Sequence, residues 1–325
     1  MRPIILGLFA AFFFATTFVL NRAMEVSGGS WIWSASLRFI FMIPFLLVLV
    51  ISRGNLKVLF QVMRERPGAW MIWSTVGFGL FYAPLCFATV YSPGWLVAGT
   101  WQFTIIAGSL LTPLFIQIVQ TSHGPIKQRG QIPKKGLLFS LVILVGIGLM
   151  QVEQAGNLTA KELWLGIIPV VIASFAYPLG NRKMMEVVDG RLDVFQRVLG
   201  MTLASMPLWI ILSVYGYFAV GMPSTSQTIQ TLIVALSSGV IATALFFKAT
   251  DMVKDDMQKL ASVEATQSME VLFALFGEVI FLSIVFPSVI SWVGMLLVIL
   301  GMVLHSFITH VKKPQITAEE KMKNF

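Results

Sequence analysis

The sequence predicts an all-α membrane protein of ten transmembrane helices, arranged as two inverted five-helix repeats with both termini cytoplasmic. Three observations lead to this class: the apolar composition, the distribution of positive charge and an internal repeat. The 325-residue chain is 57% hydrophobic and 12% charged, whereas a soluble domain would carry about twice that charge. A spanning helix needs roughly 20 apolar residues, so ten helices leave room only for short loops and a tail.

Ten apolar runs define the predicted spans, which we number span 1 to span 10. In chain order they cover residues 4–24, 31–51, 69–91, 94–119, 136–152, 162–181, 194–218, 227–248, 258–282 and 288–309. Each run is predicted to be helical because unpaired backbone groups are too costly in lipid. Trp31, Trp70 and Tyr91 lie near predicted span ends, where aromatic rings favour the headgroup level.

Positive charge alternates along the chain. Of the 23 Lys and Arg residues, 19 lie in the flanks and in alternate gaps between spans. The remaining four are Arg22 and Lys161 in the other gaps, and Arg38 and Arg197 within spans. Because Lys and Arg resist translocation, the rich side is predicted to be cytoplasmic. The net charge of +8 therefore indicates topology, and its dispersal argues against nucleic-acid binding.

The second half of the chain repeats the first at an offset of about 160 residues. Asn21-Arg22 recurs as Asn181-Arg182, and Arg38 recurs as Arg197. Since each half holds an odd number of spans, the halves are expected to be inverted, as in alternating-access transporters. The predicted divisions are a first repeat, a second repeat and a cytoplasmic tail, over residues 1–152, 153–309 and 310–325.

Span 9 is the least lipid-like segment, because it contains Glu264, Gln267 and Glu270. Ionisable groups in lipid are costly and usually face a cavity or a partner. Glu270 lies about 18 Å from the cytoplasmic end of the span at 1.5 Å per residue. We expect Glu270 to exchange protons and couple transport to them, with Glu264 and Gln267 on the cytoplasmic approach. The alternative for Glu270 is a structural pair or hydrogen bond between helices.

Other polar and aromatic side chains are predicted to line a substrate cavity. We expect Arg38 either to bind an anionic group or a span 9 carboxylate, or to extend to the nearer interface. Arg197 is expected to extend to the interface. Side chains of these types also join helices directly. A helix-joining role is therefore the alternative for each predicted lining residue. The predicted lining residues are Thr17, Asn21, Arg38, Trp101, Gln102, Thr104, Tyr177 and Asn181.

Signals of catalysis are absent from the sequence. The histidines and the lone Cys86 do not have the spacing of a metal site, and no phosphate-cradling GxxxxGK[ST] sequence occurs. We therefore expect no enzymatic activity, no metal and no cofactor.

Three segments resemble the ten-span drug/metabolite transporter superfamily, whose members have two EamA-like halves. They are Leu37-Arg38-Phe39-Ile40, the run from Met269-Glu270 to Gly277, and Trp292-Val293-Gly294 through Gly301. Val271 stands where that family has proline. The chain most resembles the group of multidrug resistance efflux transporters. Four-span relatives use a glutamate in their first span; span 1 here has none, so the coupling carboxylate is expected in span 9.

The resemblance and the inverted repeat together favour a secondary transporter in the bacterial cytoplasmic membrane. We expect proton-coupled export of a small organic metabolite or lipophilic cation, with the substrate, protons and the lipid bilayer as partners. Because one chain holds both halves, a monomer suffices, and a homodimer is the other alternative. Two other functions stay open: a proton-independent exchanger of an anionic metabolite or sugar conjugate, and a non-transporting protein such as a lipid scramblase or assembly partner.

Overall fold

A computed structural model describes residues 1–54, 56–91, 94–121, 124–155, 159–282 and 288–310. The predicted tail beyond residue 310 lies outside the described residues. The first half contains eight described α-helices: α1 (Arg2–Val26), α2 (Trp31–Ser52), α3 (Leu56–Glu65), α4 (Pro67–Ser74), α5 (Leu80–Tyr91), α6 (Gly94–Trp101), α7 (Phe103–Leu110) and α8 (Lys134–Ala155). The described helices of the second half are α9 (Ala160–Val188), α10 (Val194–Val220), α11 (Thr225–Val234), α12 (Thr243–Asp251), α13 (Met257–Ala265), α14 (Met269–Phe281) and α15 (Val289–His310).

Short helical segments of other types connect several of these helices. The π-helical segment Thr75–Gly79 joins α4 to α5, and the π-helical segment Ala235–Ala242 joins α11 to α12. A 3-10 turn, Thr266–Ser268, joins α13 to α14, and another, Thr112–Leu114, follows α7.

Six helical stretches within the described ranges are long and apolar enough to cross a membrane. They correspond to spans 1, 2, 3, 6, 7 and 8 and cover Arg2–Val26, Trp31–Ser52, Pro67–Tyr91, Ala160–Val188, Val194–Val220 and Thr225–Asp251. Large apolar side chains lie on the outside of the bundle, including Phe218 at 80% exposure and Phe281 at 77%. A water-soluble monomer rarely presents such a continuous apolar surface, so the structure confirms a mostly helical membrane protein.

The prediction of one continuous helix over residues 94–119 is wrong, and with it the strictly all-α class. Helix α7 gives way to the Thr112–Leu114 turn, and strand β1 (Ile116–Thr121) then pairs antiparallel with β2 (Gly124–Arg129). Pro113 lacks a backbone donor and disfavours a continuing helix. The β-branched Ile, Val and Thr side chains of β1 favour an extended strand.

The helical path predicted for span 9 is also interrupted. The hydroxyl of Thr266 donates to the carbonyl of Val263 at 2.6 Å, and that of Ser268 to the carbonyl of Ala265 at 2.8 Å. The 3-10 turn has 3.0 residues per turn rather than 3.6. It therefore changes the direction in which side chains of α14 point relative to those of α13.

Helices from the two halves pack directly on one another. Along α2 and α10, the Trp33 indole donates to the Gly221 carbonyl at 2.9 Å, and Phe39 stacks on Trp209 with ring centroids 4.3 Å apart. Near the other end of α2, Arg53 lies over the ring of Phe195. Since higher residue numbers on α2 meet lower ones on α10, the two helices run antiparallel.

Helices α8 and α15 approach closely at glycines. A side chain at Gly146 would place its Cβ 2.6 Å from the carbonyl oxygen of Gly294 and 2.9 Å from the backbone nitrogen of Val298. Such distances are shorter than any ordinary contact of a Cβ, so the absence of a side chain permits this packing.

We predict that Gly146→Ala destabilises the protein by about 1–3 kcal/mol, because the added methyl group overpacks the α8–α15 contact. The midpoint of thermal unfolding in detergent measures this. Gly148 lies on the same helix, and a methyl group added there would meet no atom within 4 Å, which makes Gly148→Ala the matched control. An equal loss in both variants would contradict the close approach of α8 and α15.

Candidate functional site

A cavity lies where helices of both halves meet. Its walls come from α1, α2, α5, α6, α9, the π-helical segment Ala235–Ala242 and the segment from the Thr266–Ser268 turn into α14. Most lining side chains are apolar or aromatic: Phe14, Phe18, Phe81, Tyr82, Leu85, Trp101 and Tyr177. The polar ones are Thr17, Arg38, Ser238, Gln267 and Glu270. Pockets lined mainly by apolar groups with a few placed polar groups are typical of small-molecule sites.

Glu270 supplies the acidic group of the cavity. It lies one residue into α14, about 20 Å along the helical path from Met257, and is 1% exposed. The indole of Trp101 is a hydrogen-bond partner of its carboxyl. The other carboxyl oxygen, Oε1, is buried and has no hydrogen-bond partner among the described residues. The carboxyl is therefore held in place on one side and left free to bind on the other.

Arg38 supplies the basic group of the cavity and is 2% exposed. Its Nη2 donates to the Ser238 hydroxyl at 2.9 Å. Its guanidinium carbon lies 3.9 Å from the centroid of the Tyr82 ring, a cation–π contact. The side chain therefore turns into the bundle instead of extending to the interface.

Three aromatic rings cluster beside Glu270. Ring centroids of Phe81 and Tyr177 lie 4.6 Å apart, those of Phe81 and Trp101 4.9 Å, and those of Trp101 and Tyr177 5.7 Å. The hydroxyl of Tyr177 is buried without a hydrogen-bond partner among the described residues. The rings thus present π faces and a free hydroxyl near the carboxyl.

A second charged group lies next to the cavity but does not line it. On α9, Arg182 donates to Glu264 of α13 through Nε at 3.2 Å and through Nη2 at 2.6 Å, and its Nη1 donates to the Gly108 carbonyl of α7 at 2.6 Å. Both charged side chains are almost completely buried, at 3% and 4% exposure. We call these three residues the Arg182 latch, because they join α7, α9 and α13.

Gly108 allows the Arg182 latch to form. A methyl group there would overlap Oε2 of Glu264 and lie 3.3 Å from Nη2 of Arg182. The glycine therefore lets the carboxylate and guanidinium approach the backbone of α7.

Arg197 forms a second ion pair, in which the arginine is buried and the partner Asp251 is partly exposed. Its Nη1 donates to Asp251 Oδ1 of α12 at 2.5 Å, and its guanidinium carbon lies 4.5 Å from the Phe247 ring centroid. The Arg197 side chain is 3% exposed. The expectation that it extends to the interface is therefore wrong, because a local carboxylate compensates its charge inside the bundle.

The structure brings six of the predicted site residues together at the cavity: Thr17, Arg38, Trp101, Tyr177, Gln267 and Glu270. The other five lie elsewhere. Glu264 belongs to the Arg182 latch, and Thr104 donates to the Ser174 carbonyl at 3.1 Å. The amide of Asn181 donates to Thr250, that of Asn21 contacts the Cys86 sulfur, and that of Gln102 bonds back to the Ala98 carbonyl. The contacts of Glu264, Thr104, Asn181 and Asn21 correspond to the helix-joining alternative, whereas that of Gln102 stays within its own span.

Glu264 and Gln267, which were both expected on the cytoplasmic approach, occupy different places in the structure. Gln267 lines the cavity together with Glu270, and Glu264 is bound to Arg182 in the latch.

Sequence reasoning missed several residues. The positive-charge pattern places Arg182 among the 19 residues outside the spans, in the cytoplasmic gap after span 6. In the structure, α9 continues to Val188 and buries Arg182. The cavity residues Phe81, Tyr82 and Ser238 were also missed. Aromatic and hydroxyl residues are common on every face of a membrane helix, so hydropathy carries no signal for them. For Arg182, its repeat position opposite Arg22 in the Asn-Arg pair was an available signal.

No group of three or more His, Cys, Asp or Glu residues within the described part of the chain is arranged to hold a metal ion. The chemistry available at the cavity is therefore that of a carboxyl, a guanidinium, hydroxyls, an amide and aromatic rings.

A family model named EmrE, with the description "Putative multidrug resistance efflux transporter", matches residues 1–311. The chain belongs to this family. The EmrE family is one of membrane transporters, which confirms the resemblance to multidrug resistance efflux transporters and agrees with a helical bundle that encloses a small-molecule cavity.

Relatives in the EmrE family are close in sequence. "Uncharacterized protein YjlA" of Bacillus subtilis (strain 168) is 56% identical over 322 residues, which cover 99% of each chain. An "Uncharacterized 42.1 kDa protein in intracellular alkaline protease 3'region" of Shouchella clausii is 52% identical over 270 residues, 83% of this chain and 70% of that protein. A solved crystal structure shares the fold with a TM-score of 0.67, over 94% of this chain and 97% of that one, at 12% identity.

The Arg182 latch generates a stability prediction. Arg182→Met should destabilise the protein by about 3–5 kcal/mol, because it leaves the Glu264 carboxylate buried and uncompensated. The double variant Arg182→Met/Glu264→Leu should recover most of that loss, since no charge is left unpaired. Thermal unfolding in detergent compares the two.

The exposed pair Arg191–Glu65, at 42% and 52% exposure, is the control for this comparison. Arg191→Met and Glu65→Leu should each change stability by less than about 1 kcal/mol, as is usual for surface ion pairs. If Arg182→Met/Glu264→Leu were less stable than Arg182→Met, the uncompensated Glu264 carboxylate would not be the cause of the loss in stability.

Proposed function

We propose that this protein is a secondary transporter of the bacterial cytoplasmic membrane that exports small organic molecules in exchange for protons. The observation that carries the proposal is the Glu270 carboxyl, which is buried at the wall of the cavity with one oxygen unpartnered among the described residues. Membership in a transporter family supports the transport class, and the Bacillus relative supports the bacterial membrane.

Glu270 can serve proton exchange because its position removes competing partners. No Lys, Arg or His nitrogen within the described residues lies within 4.0 Å of its carboxyl oxygens. A carboxyl without an ion pair can take up a proton or attract a cationic group, and the two compete for the same oxygens. That competition is what couples export of a substrate to entry of a proton.

The Arg182 latch supports alternating access. It joins α7, α9 and α13 beside the cavity, on the side where the predicted topology places the cytoplasm. Opening the cavity toward that side requires these helices to separate, and therefore requires the Arg182–Glu264 and Arg182–Gly108 contacts to break. The described state would then be closed to the cytoplasm.

The predicted ten spans and inverted repeats are part of the proposal. Span 4 would consist of α6 and α7, span 5 of α8, span 9 of α13 and α14, and span 10 of α15. The two halves share features at matching places: a π-helical segment, Thr75–Gly79 or Ala235–Ala242, and a helix broken after it. Span 3 packs on span 6 while span 8 packs on span 1, an exchange of partners expected of related repeats.

The divisions of the chain follow from this arrangement: a first repeat over 1–152, a second over 153–309 and a cytoplasmic tail over 310–325. Each half contributes side chains to the cavity, for example Arg38 and Trp101 from the first and Tyr177 and Glu270 from the second. A monomer therefore contains the complete site.

A second candidate function rests on Arg38. A guanidinium at the cavity wall is suited to a carboxylate or phosphate, which favours exchange of an anionic metabolite without protons. In that case Glu270 would be a structural group that balances the charge of Arg38.

Glu270→Gln separates these two functions. In proteoliposomes with an imposed pH gradient, we expect the variant to lose at least tenfold in proton flux driven by substrate while keeping substrate–substrate exchange at saturating substrate, because the glutamine cannot bind a proton. An internal pH dye and a labelled substrate measure the two fluxes.

Glu278→Gln is the matched control, since Glu278 lies on the same helix, is 2% exposed and also has an unpartnered Oε1 among the described residues, yet does not line the cavity. It should retain proton flux. Unchanged proton flux in Glu270→Gln would contradict proton coupling at this residue and favour exchange of an anionic metabolite.

The topology is tested with single cysteines in a Cys86→Ala background. Met222 and Asp255 are both exposed and lie in loops at opposite ends of the span formed by α11 and α12. In intact cells, an impermeant maleimide should label Met222→Cys but not Asp255→Cys, and permeabilisation should expose the second. The opposite pattern would invert the orientation assigned from positive charge.

A further inference from the structure

Two opposite charges line the same cavity without pairing. Arg38 and Glu270 are both nearly fully buried and both border the empty space. No Arg38 nitrogen lies within 4.0 Å of a Glu270 oxygen. Buried charges ordinarily pair directly, because desolvation is otherwise uncompensated. The cavity is therefore bordered by a cationic and an anionic side chain that are not paired with each other.

The binding capacity of Arg38 is largely unused. Of its five donors, the described contacts engage one, at Ser238. Its Nε is buried with no hydrogen-bond partner among the described residues. Tyr82 holds the guanidinium plane from one face, so the group is oriented before a ligand arrives. A carboxylate is the partner whose geometry fits such a fork.

The surroundings of Glu270 suit an ammonium group. One carboxyl oxygen is without a partner within the described residues, while the Trp101 indole is a hydrogen-bond partner of the carboxyl. Trp101, Tyr177 and Phe81 form the ring cluster beside it. Ring faces attract cations as well as apolar groups, so this wall accepts an amine together with an apolar substituent.

We propose that the cavity binds a small zwitterion of apolar amino-acid type, with its carboxylate at Arg38 and its ammonium group at Glu270. The proposal rests on the proposed transport function and names the substrate class of that same site.

Charge balance supports the same class. With both side chains ionised, Arg38 and Glu270 sum to zero, and a zwitterion keeps the occupied site neutral. A simple cation or anion would add a net charge within the membrane, which is costly. Protonation of Glu270 then displaces the ammonium end only, so a proton and this substrate compete at one wall.

The experiment uses three matched ligand pools with the purified full-length protein in detergent. The first contains leucine, methionine and phenylalanine as zwitterions, the second their amides as cations, and the third their deaminated acids as anions. Dissociation constants are measured by thermal shift and calorimetry. We expect the zwitterion pool to bind at least tenfold more tightly than either other pool.

Two variants assign each end of the ligand. Arg38→Gln should weaken zwitterion binding at least tenfold without affecting the amides, and Glu270→Gln should weaken it similarly without affecting the acids. Glu278→Gln and the surface variant Arg53→Gln (49% exposed) are controls that should bind the zwitterion normally. Because the three pools already discriminate with unaltered protein, the test does not depend on whether Arg38→Gln folds.

Equal binding of the three pools, or binding of none, would overturn the zwitterion assignment. Tight amide binding that Arg38→Gln leaves unchanged would also overturn it, while leaving proton-coupled export of cations intact. Conversely, preferential zwitterion binding combined with normal proton flux in Glu270→Gln would support the substrate class and reject the coupling role. The two proposals therefore fail separately.

Discussion

A charged side chain inside the hydrocarbon core must find its compensation within the protein, because lipid offers none. This constraint organises the interior of the bundle. Arg182 binds Glu264 and a backbone carbonyl, Arg197 binds Asp251, and Arg38 rests on Tyr82 and Ser238. Apolar side chains occupy both the outside of the bundle and most of its core, so these polar contacts are confined to a few interior sites.

The charges of the three buried arginines are compensated to different degrees. This difference distinguishes the arginines that join helices from the one that borders the candidate site. Arg182 and Arg197 each have a carboxylate within hydrogen-bonding distance. Arg38 lacks one among the described residues and instead shares a cavity with Glu270. A buried charge left short of partners adds no stability, and its retention is consistent with a ligand that completes the site. The paired arginines hold helices of the bundle together.

Irregular helix segments position the cavity. The Thr266–Ser268 turn lies between Glu264 in the Arg182 latch and Glu270 at the cavity wall. The π-helical segment Ala235–Ala242 carries Ser238 to the Arg38 guanidinium. Departures from regular α-helix frequently occur at functional sites, and here they turn the walls of a packed bundle toward a common space.

The sequence by itself determined the membrane class and six of the described spanning helices, and it singled out the acidic segment around Glu270, because apolar runs and isolated charges are local properties of the chain. It also brought forward Thr17, Arg38, Trp101, Tyr177 and Gln267, which carry polar or aromatic groups on helices. Only the tertiary structure decided that Glu264 binds Arg182, that Tyr82 and Ser238 hold Arg38, and that residues 116–129 form a hairpin. Those outcomes depend on which helices meet and on small changes in helical phase, and neither is encoded in hydropathy.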